Sequence, residues 1–193
     1  MGKAKSIRVS AEILSFSDFY NLCESSFKFL INNFSFKIHL KRKASGYYLI
    51  VYKNSKTALE IDFDIREQII FISLHKLIDG KFMDYTKCIN YDADAGILHF
   101  GIDDLIDLRA PDMRIEQVGY PNILSESKAR SILKSYASFL KEHATQELQG
   151  SFDGDEKKGR GGAPLSMQKF DKGLTTNVGE ISDIYRLDAG STR

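Results

Sequence analysis

From residue 36 to residue 77, apolar side chains recur at every second position between short polar turns, and this pattern constrains the fold more than any other feature. Phe36, Ile38 and Leu40 alternate with Lys37, His39 and Lys41, as in a strand with one face in water. Ser45 and Gly46 turn the chain, and residues 47–52 form a second strand rich in aromatic and β-branched side chains. Residues 53–56 have turn chemistry, after which Leu59, Ile61, Phe63 and Ile65 alternate with Glu60, Asp62 and Asp64. Past Arg66 and Glu67, Ile69, Ile70, Phe71, Ile72 and Leu74 resume a strand that Asp79 and Gly80 close. Connections of a few residues force neighbouring strands to run antiparallel, because a parallel crossover takes about a dozen residues or more. The expectation is a four-stranded antiparallel meander, apolar beneath and ionic on top.

Two helices are predicted to cover the apolar face. Over residues 18–33, Phe19, Leu22, Cys23, Phe27, Leu30 and Ile31 fall at helical spacing, with Ser15 or Ser17 as cap and Asp18 completing a capping box. Over residues 125–148, Ala129, Ile132, Leu133, Tyr136, Ala137, Leu140 and Ala144 form one stripe, ended by Gly150. Between them a turn at 94–96, a short strand at 97–100 and a short helix at 103–109, halted before Pro111, complete the reading. The fold class is α+β: an N-terminal helix, the meander sheet, a C-terminal amphipathic helix and a flexible tail.

The chain divides into an α+β domain over residues 1–152 and a weakly structured tail over residues 153–193. Half of the chain's 14 glycines fall in the tail, at 154, 159, 161, 162, 173, 179 and 190, without sustained periodicity. Within it Val178, Ile181, Ile184 and Leu187 recur at three-residue steps, a short amphipathic turn that could dock on a partner or on the domain itself. Gly159-Arg160-Gly161-Gly162 follows no strand and reads as a hinge, not a phosphate loop.

Lysine and arginine total 27 against 26 acids, which leaves no long-range field for a polyanion and disfavours nucleic acid. Nothing approaches the roughly 18 apolar residues of a membrane span. The basic start is followed by no apolar signal region, which points to a cytoplasmic protein, although Gly2 with Ser6 fits the spacing for myristoylation. Cys23 and Cys88 lack metal-ligand spacing and read as reduced core thiols; no cofactor is predicted.

Three stretches, the phenylalanine-rich helix leading into Phe34-Ser35-Phe36-Lys37, the meander ending in Leu77-Ile78-Asp79-Gly80-Lys81, and Tyr136-Ala137-Ser138-Phe139-Leu140-Lys141, resemble small bacterial α+β proteins of the immunity type. The segment from Ile102 to Pro111 fits the same pattern, and the likeness spans roughly residues 15–152. The resemblance implies a cytoplasmic, antitoxin-like protein that binds a toxin or a defence-complex subunit. Its motifs are packing motifs, and no catalytic residue carries over. The long tail departs from the compact pattern.

The chemically richest surface is the wet face of the sheet. Lys37, His39 and Lys41 are expected there beside Glu60, Asp62 and Asp64, with Ser73 and His75 on the fourth strand. Three readings follow: a noncatalytic protein-binding face, a metal-dependent hydrolase or nuclease using His39, His75 and the carboxylate row, and a scaffold docking through the tail. Alternate residues of a half-buried sheet must be polar in any case, so a solvated face alone explains the charges. The nuclease reading lacks its lysine, since Gln68-Ile69-Ile70 stands where one is expected. Asp103, Asp104 and Asp107 lack the loop of a calcium site and suit a helix start. Tyr47, Tyr48, Tyr52 and Tyr91 are candidates for sheet packing or partner anchoring.

Overall fold

The computed structural model describes residues 14–82 and 99–152. Helix α1 (Phe16–Phe34) begins at Ser15, whose hydroxyl accepts from the Asp18 N–H at 3.2 Å and donates to the Asp18 carboxylate at 2.6 Å. Of the two predicted caps, Ser15 is the one used. The helix stops where Ser35 turns left-handed at φ 57°, and the Phe36 N–H reaches back to the Leu30 carbonyl at 3.1 Å. That reversal drops the chain into strand β1 (Lys37–Ala44).

Strands β2 (Tyr47–Lys53), β3 (Thr57–Asp64) and β4 (Ile69–Lys76) follow as an antiparallel meander. Among the described residues the sheet has five strands, not four: β5 (His99–Gly101) lies antiparallel to β4, with Phe100 opposite Leu74. Residues 99 and 100 of the short strand expected at 97–100 lie in β5, which runs on to Gly101, while residues 97 and 98 fall outside the described residues. The three residues of β5 are too few for periodicity to reveal which strand they join.

One face of the sheet meets the helices. Tyr48, Ile50 and Tyr52 of β2, Leu59, Ile61 and Phe63 of β3, and Ile70, Ile72 and Leu74 of β4 pack against Phe19, Leu22, Phe27 and Leu30 of α1 and Ile132, Leu133 and Leu140 of α3 (Glu126–His143). Fully burying each large apolar side chain contributes about 1.5–3 kcal/mol, so this layer is the main source of stability. The Phe19 ring lies 5.5 Å from Phe63 and 6.0 Å from Tyr48, which fixes α1 over the middle of the sheet.

Helix α2 (Ile102–Arg109) grows directly from β5. The C-terminal stripe expected over 125–148 is two helices, because α3 ends at Ala144 and a single turn, α4 (Thr145–Leu148), follows. Side chains beneath that turn pull it onto the sheet. The Thr57 hydroxyl donates to the Glu147 carbonyl at 2.7 Å, and the Asn54 amide donates to the carbonyls of Leu148 at 3.1 Å and Phe34 at 3.2 Å. Gly150 closes the element at φ 91°, as predicted from the sequence.

Beyond β5, the β4 edge is closed by a side chain. The Gln117 amide accepts from the Ile70 N–H at 3.2 Å and donates to the Ile70 carbonyl at 2.9 Å, imitating a strand neighbour. It also donates to the Tyr136 hydroxyl at 2.8 Å, which ties the edge to α3. No helix of the described residues is long and apolar enough to cross a membrane. The expectations for Gly2, Ser6, Cys88, Tyr91, the turn at 94–96 and the tail from 153 to 193 fall outside the described residues.

Candidate functional site: the outer face of the sheet

The face turned away from the helices carries the odd-numbered side chains of β2 and β4 and the even-numbered ones of β3. Register places Glu60 between Val51 and Ser73, Asp62 between Leu49 and Phe71, and His75 between Ala58 and His99. This face is not simply ionic as expected. Leu49, Val51, Ala58 and Leu77 form a second buried apolar cluster, with Leu40, Tyr47 and Phe82 packed against it. Pure alternation concealed this, because β2 is apolar on both sides.

Strand β1 departs further. Its pairing with β2 slips between Ile38 and Leu40, so Ile38 faces Tyr52 while Leu40 faces Val51. The bulge shifts the period by one residue, and every side chain beyond it changes face. Lys41 therefore does not join Lys37 and His39 on the outer face: it points to the helix side, where its ammonium sits 3.6 Å from the centre of the Tyr20 ring. Arg42, opposite Leu49, takes the outer position instead. Lys37 stays exposed opposite Lys53, and His39 stays exposed with its ring 6.4 Å from Phe82.

The three acids of β3 have three different roles. Asp64 caps the β3–β4 turn, its Oδ1 accepting from the N–H groups of Arg66 at 2.7 Å and Glu67 at 2.9 Å. Glu60 lies 3.8 Å from His75 Nε2. Asp62 has a buried Oδ1 with no hydrogen-bond partner among the described residues. Burial first, and then the charges of Glu60 and Asp64, push its carboxyl up to about 7. Beside it Phe71 leaves 48% of its surface in solvent.

The imidazoles form a separate group. The His75 and His99 rings are 4.7 Å apart and Phe82 packs edge-on against His75 at 5.7 Å. Burial, then the neighbouring His99, holds His75 down at about 3, so it is neutral at physiological pH. Burial likewise lowers His99, although Asp104 opposes the shift. Among the described residues no three His, Cys, Asp or Glu side chains converge to hold a metal ion, so the hydrolase alternative finds no ligand set there.

Other candidates resolve into structure. Cys23 is wholly buried in the helix layer, where burial raises its thiol far from the reactive range. Tyr48 and Tyr52 pack in the main core, whereas Tyr47 borders the outer cluster. Asp103 accepts from the Tyr136 hydroxyl at 3.3 Å. Sequence reasoning missed Phe71 as a surface feature; its signal was a phenylalanine at a position that the β4 alternation assigns to the polar side.

Comparison with protein-family models, with curated proteins and with solved structures finds no match to this chain.

Proposed function

We propose that this chain is a noncatalytic protein-binding module whose outer sheet face is its recognition surface. The observation that carries the reading is the pair formed by Asp62 and Phe71, directly opposed across β3 and β4. Asp62 keeps an acceptor oxygen buried and unbonded, and Phe71 holds an aromatic ring half in water. A buried acceptor without a partner is costly in the free protein, and the Phe71 ring leaves apolar surface for a partner to cover. A partner that places a donor on Asp62 and an apolar pocket over Phe71 satisfies the first and buries the second, which is the composition of an interface hot spot. The resemblance of the helix and meander stretches to immunity-type proteins supports a toxin or defence-complex subunit as that partner.

Carboxylates in the middle of the face argue against nucleic acid, whose phosphates they would repel. The test is the affinity of a partner purified from the native host for wild type, Asp62→Lys and Phe71→Ala. Asp64 is excluded from the set because it holds a turn. The reading expects both variants to stay folded by circular dichroism and to bind at least about tenfold more weakly, a loss ordinary for a hot-spot residue. Wild-type affinity in both folded variants overturns it.

A further inference from the structure

The two edges of the sheet are finished differently. At the far edge, β5, helix α2 and the Gln117 amide occupy the side of β4. At the near edge, β1 pairs with β2 alone, and among the described residues no strand is paired to its other side. Lys37, His39, Lys41, Arg42 and Lys43 are all exposed along it. Among the described residues, none of Lys37, Lys41, Arg42 and Lys43 has a carboxylate oxygen within 4.0 Å.

Lysines on an edge strand discourage random edge-to-edge pairing. Four cations in seven residues, three of them with neither a carboxylate nor a ring partner among the described residues, do more than discourage: they set which strand is tolerated. We infer that the β1 edge accepts an acidic extended segment of a partner protein as a sixth strand. Backbone N–H and C=O groups on the free side of β1 supply the ladder, and cross-strand pairing of opposite charges selects the sequence. Beyond the bulge the register from Leu40 to Ala44 is regular, which makes that stretch the docking length. Because of the bulge, Arg42 projects on the outer face while Lys41 and Lys43 project on the helix side, so the added strand needs acids on both of its faces. Pairing of β1 with the β1 of a second copy is disfavoured, since both carry the same charge. The inference rests on the reading of this chain as a protein-binding module and names the chemistry of what it binds.

The experiment uses the full chain, labelled with nitrogen-15, and a capped octapeptide of glutamate and threonine with acids on both faces. A further peptide of the same sequence carries an N-methyl group at every residue, so that neither of its edges can donate. The expected result is amide shifts and slowed hydrogen exchange at residues 40–44 with the parent peptide. The N-methylated peptide keeps the charge but abolishes this effect, since neither of its edges can join the ladder. Arg42→Glu with Lys43→Glu weakens binding by about tenfold or more, and raising salt weakens the wild-type complex in the same direction. Binding of the N-methylated peptide equal to that of the parent, no protection at residues 40–44, or equal protection by a single-stranded oligonucleotide of matched charge overturns the inference. A host partner that loses affinity for Asp62→Lys while the octapeptide leaves residues 40–44 unprotected removes the edge and keeps the outer face.

Discussion

Arg109 of α2 grips Glu147 of α4 with both terminal nitrogens of its guanidinium, and Glu147 is completely buried. The same arginine donates to the His143 carbonyl at the end of α3, so one side chain joins three helices. A buried carboxylate left without its cation is costly, whereas replacing both partners by apolar groups often is not. Arg109→Ala should therefore lose about 3–5 kcal/mol in urea unfolding. Arg109→Met combined with Glu147→Leu should recover most of that loss.

Asn54 makes four hydrogen bonds from one turn. Its amide holds the last carbonyls of α1 and α4, and its oxygen accepts from the N–H groups of Lys56 at 2.8 Å and Thr57 at 2.7 Å. At about 1 kcal/mol for each bond, Asn54→Ala should cost about 2–4 kcal/mol. Hydrogen exchange should locate the damage at the β2–β3 turn and the two helix ends, with the centre of β3 protected as in wild type.

Replacing Gly150, like replacing Gly46, meets both strain and collision, and at Gly150 the atom struck is a Cβ and not the movable end of an arginine. The Gly150 φ is 91°, and an added Cβ would lie 2.5 Å from the Lys56 Cβ. Gly150→Ala should lower stability by about 1–3 kcal/mol, whereas Lys56→Gly in the same background relieves the collision but leaves the strain. Thermal melting of the single and double variants separates the two contributions.

Asp62 and His75 give opposite pH dependences. The folded Asp62 carboxyl titrates near 7, above its usual value, so between about pH 4 and 7 the native state binds the extra proton and acidification stabilises. The folded His75 titrates near 3, below its usual value, so between about pH 6.5 and 3 the unfolded state binds the extra proton and acidification destabilises. His99, also lowered, adds to the second effect. From pH 6.5 down to about 4 the Asp62 slope opposes those of His75 and His99. Relative to wild type, acidification through this window should lower the melting temperature of Asp62→Asn and raise that of His75→Phe, each by about 3–8 °C. Parallel curves for all three proteins would contradict the assignment.

Much of the fold was legible because it rests on local signals. The alternation of Leu59, Ile61 and Phe63 with Glu60, Asp62 and Asp64, the short turns and the Ser15 cap each declare an element within a few residues. What was not legible depends on distant partners. The bulge after Ile38 leaves no mark in composition, yet it exchanged Lys41 for Arg42 on the outer face. The place of His99 to Gly101 in the sheet depends on β4, residues away in sequence, and the break at Ala144 depends on Thr57 and Asn54 holding α4. Of the seven candidate residues, Lys37, His39, Glu60, Asp62 and His75 lie on or along the expected face, Lys41 turns to Tyr20, and Asp64 serves the turn.

The most direct measurement replaces Phe71 by the photoreactive analogue p-benzoylphenylalanine in the native host and, separately, replaces the exposed Ser127 on α3. The account predicts that light joins position 71 to one protein of defined mass, that Asp62→Lys in the same chain suppresses the adduct, and that position 127 yields none. No adduct at position 71, or an equal one at position 127, would contradict the outer face as the recognition surface.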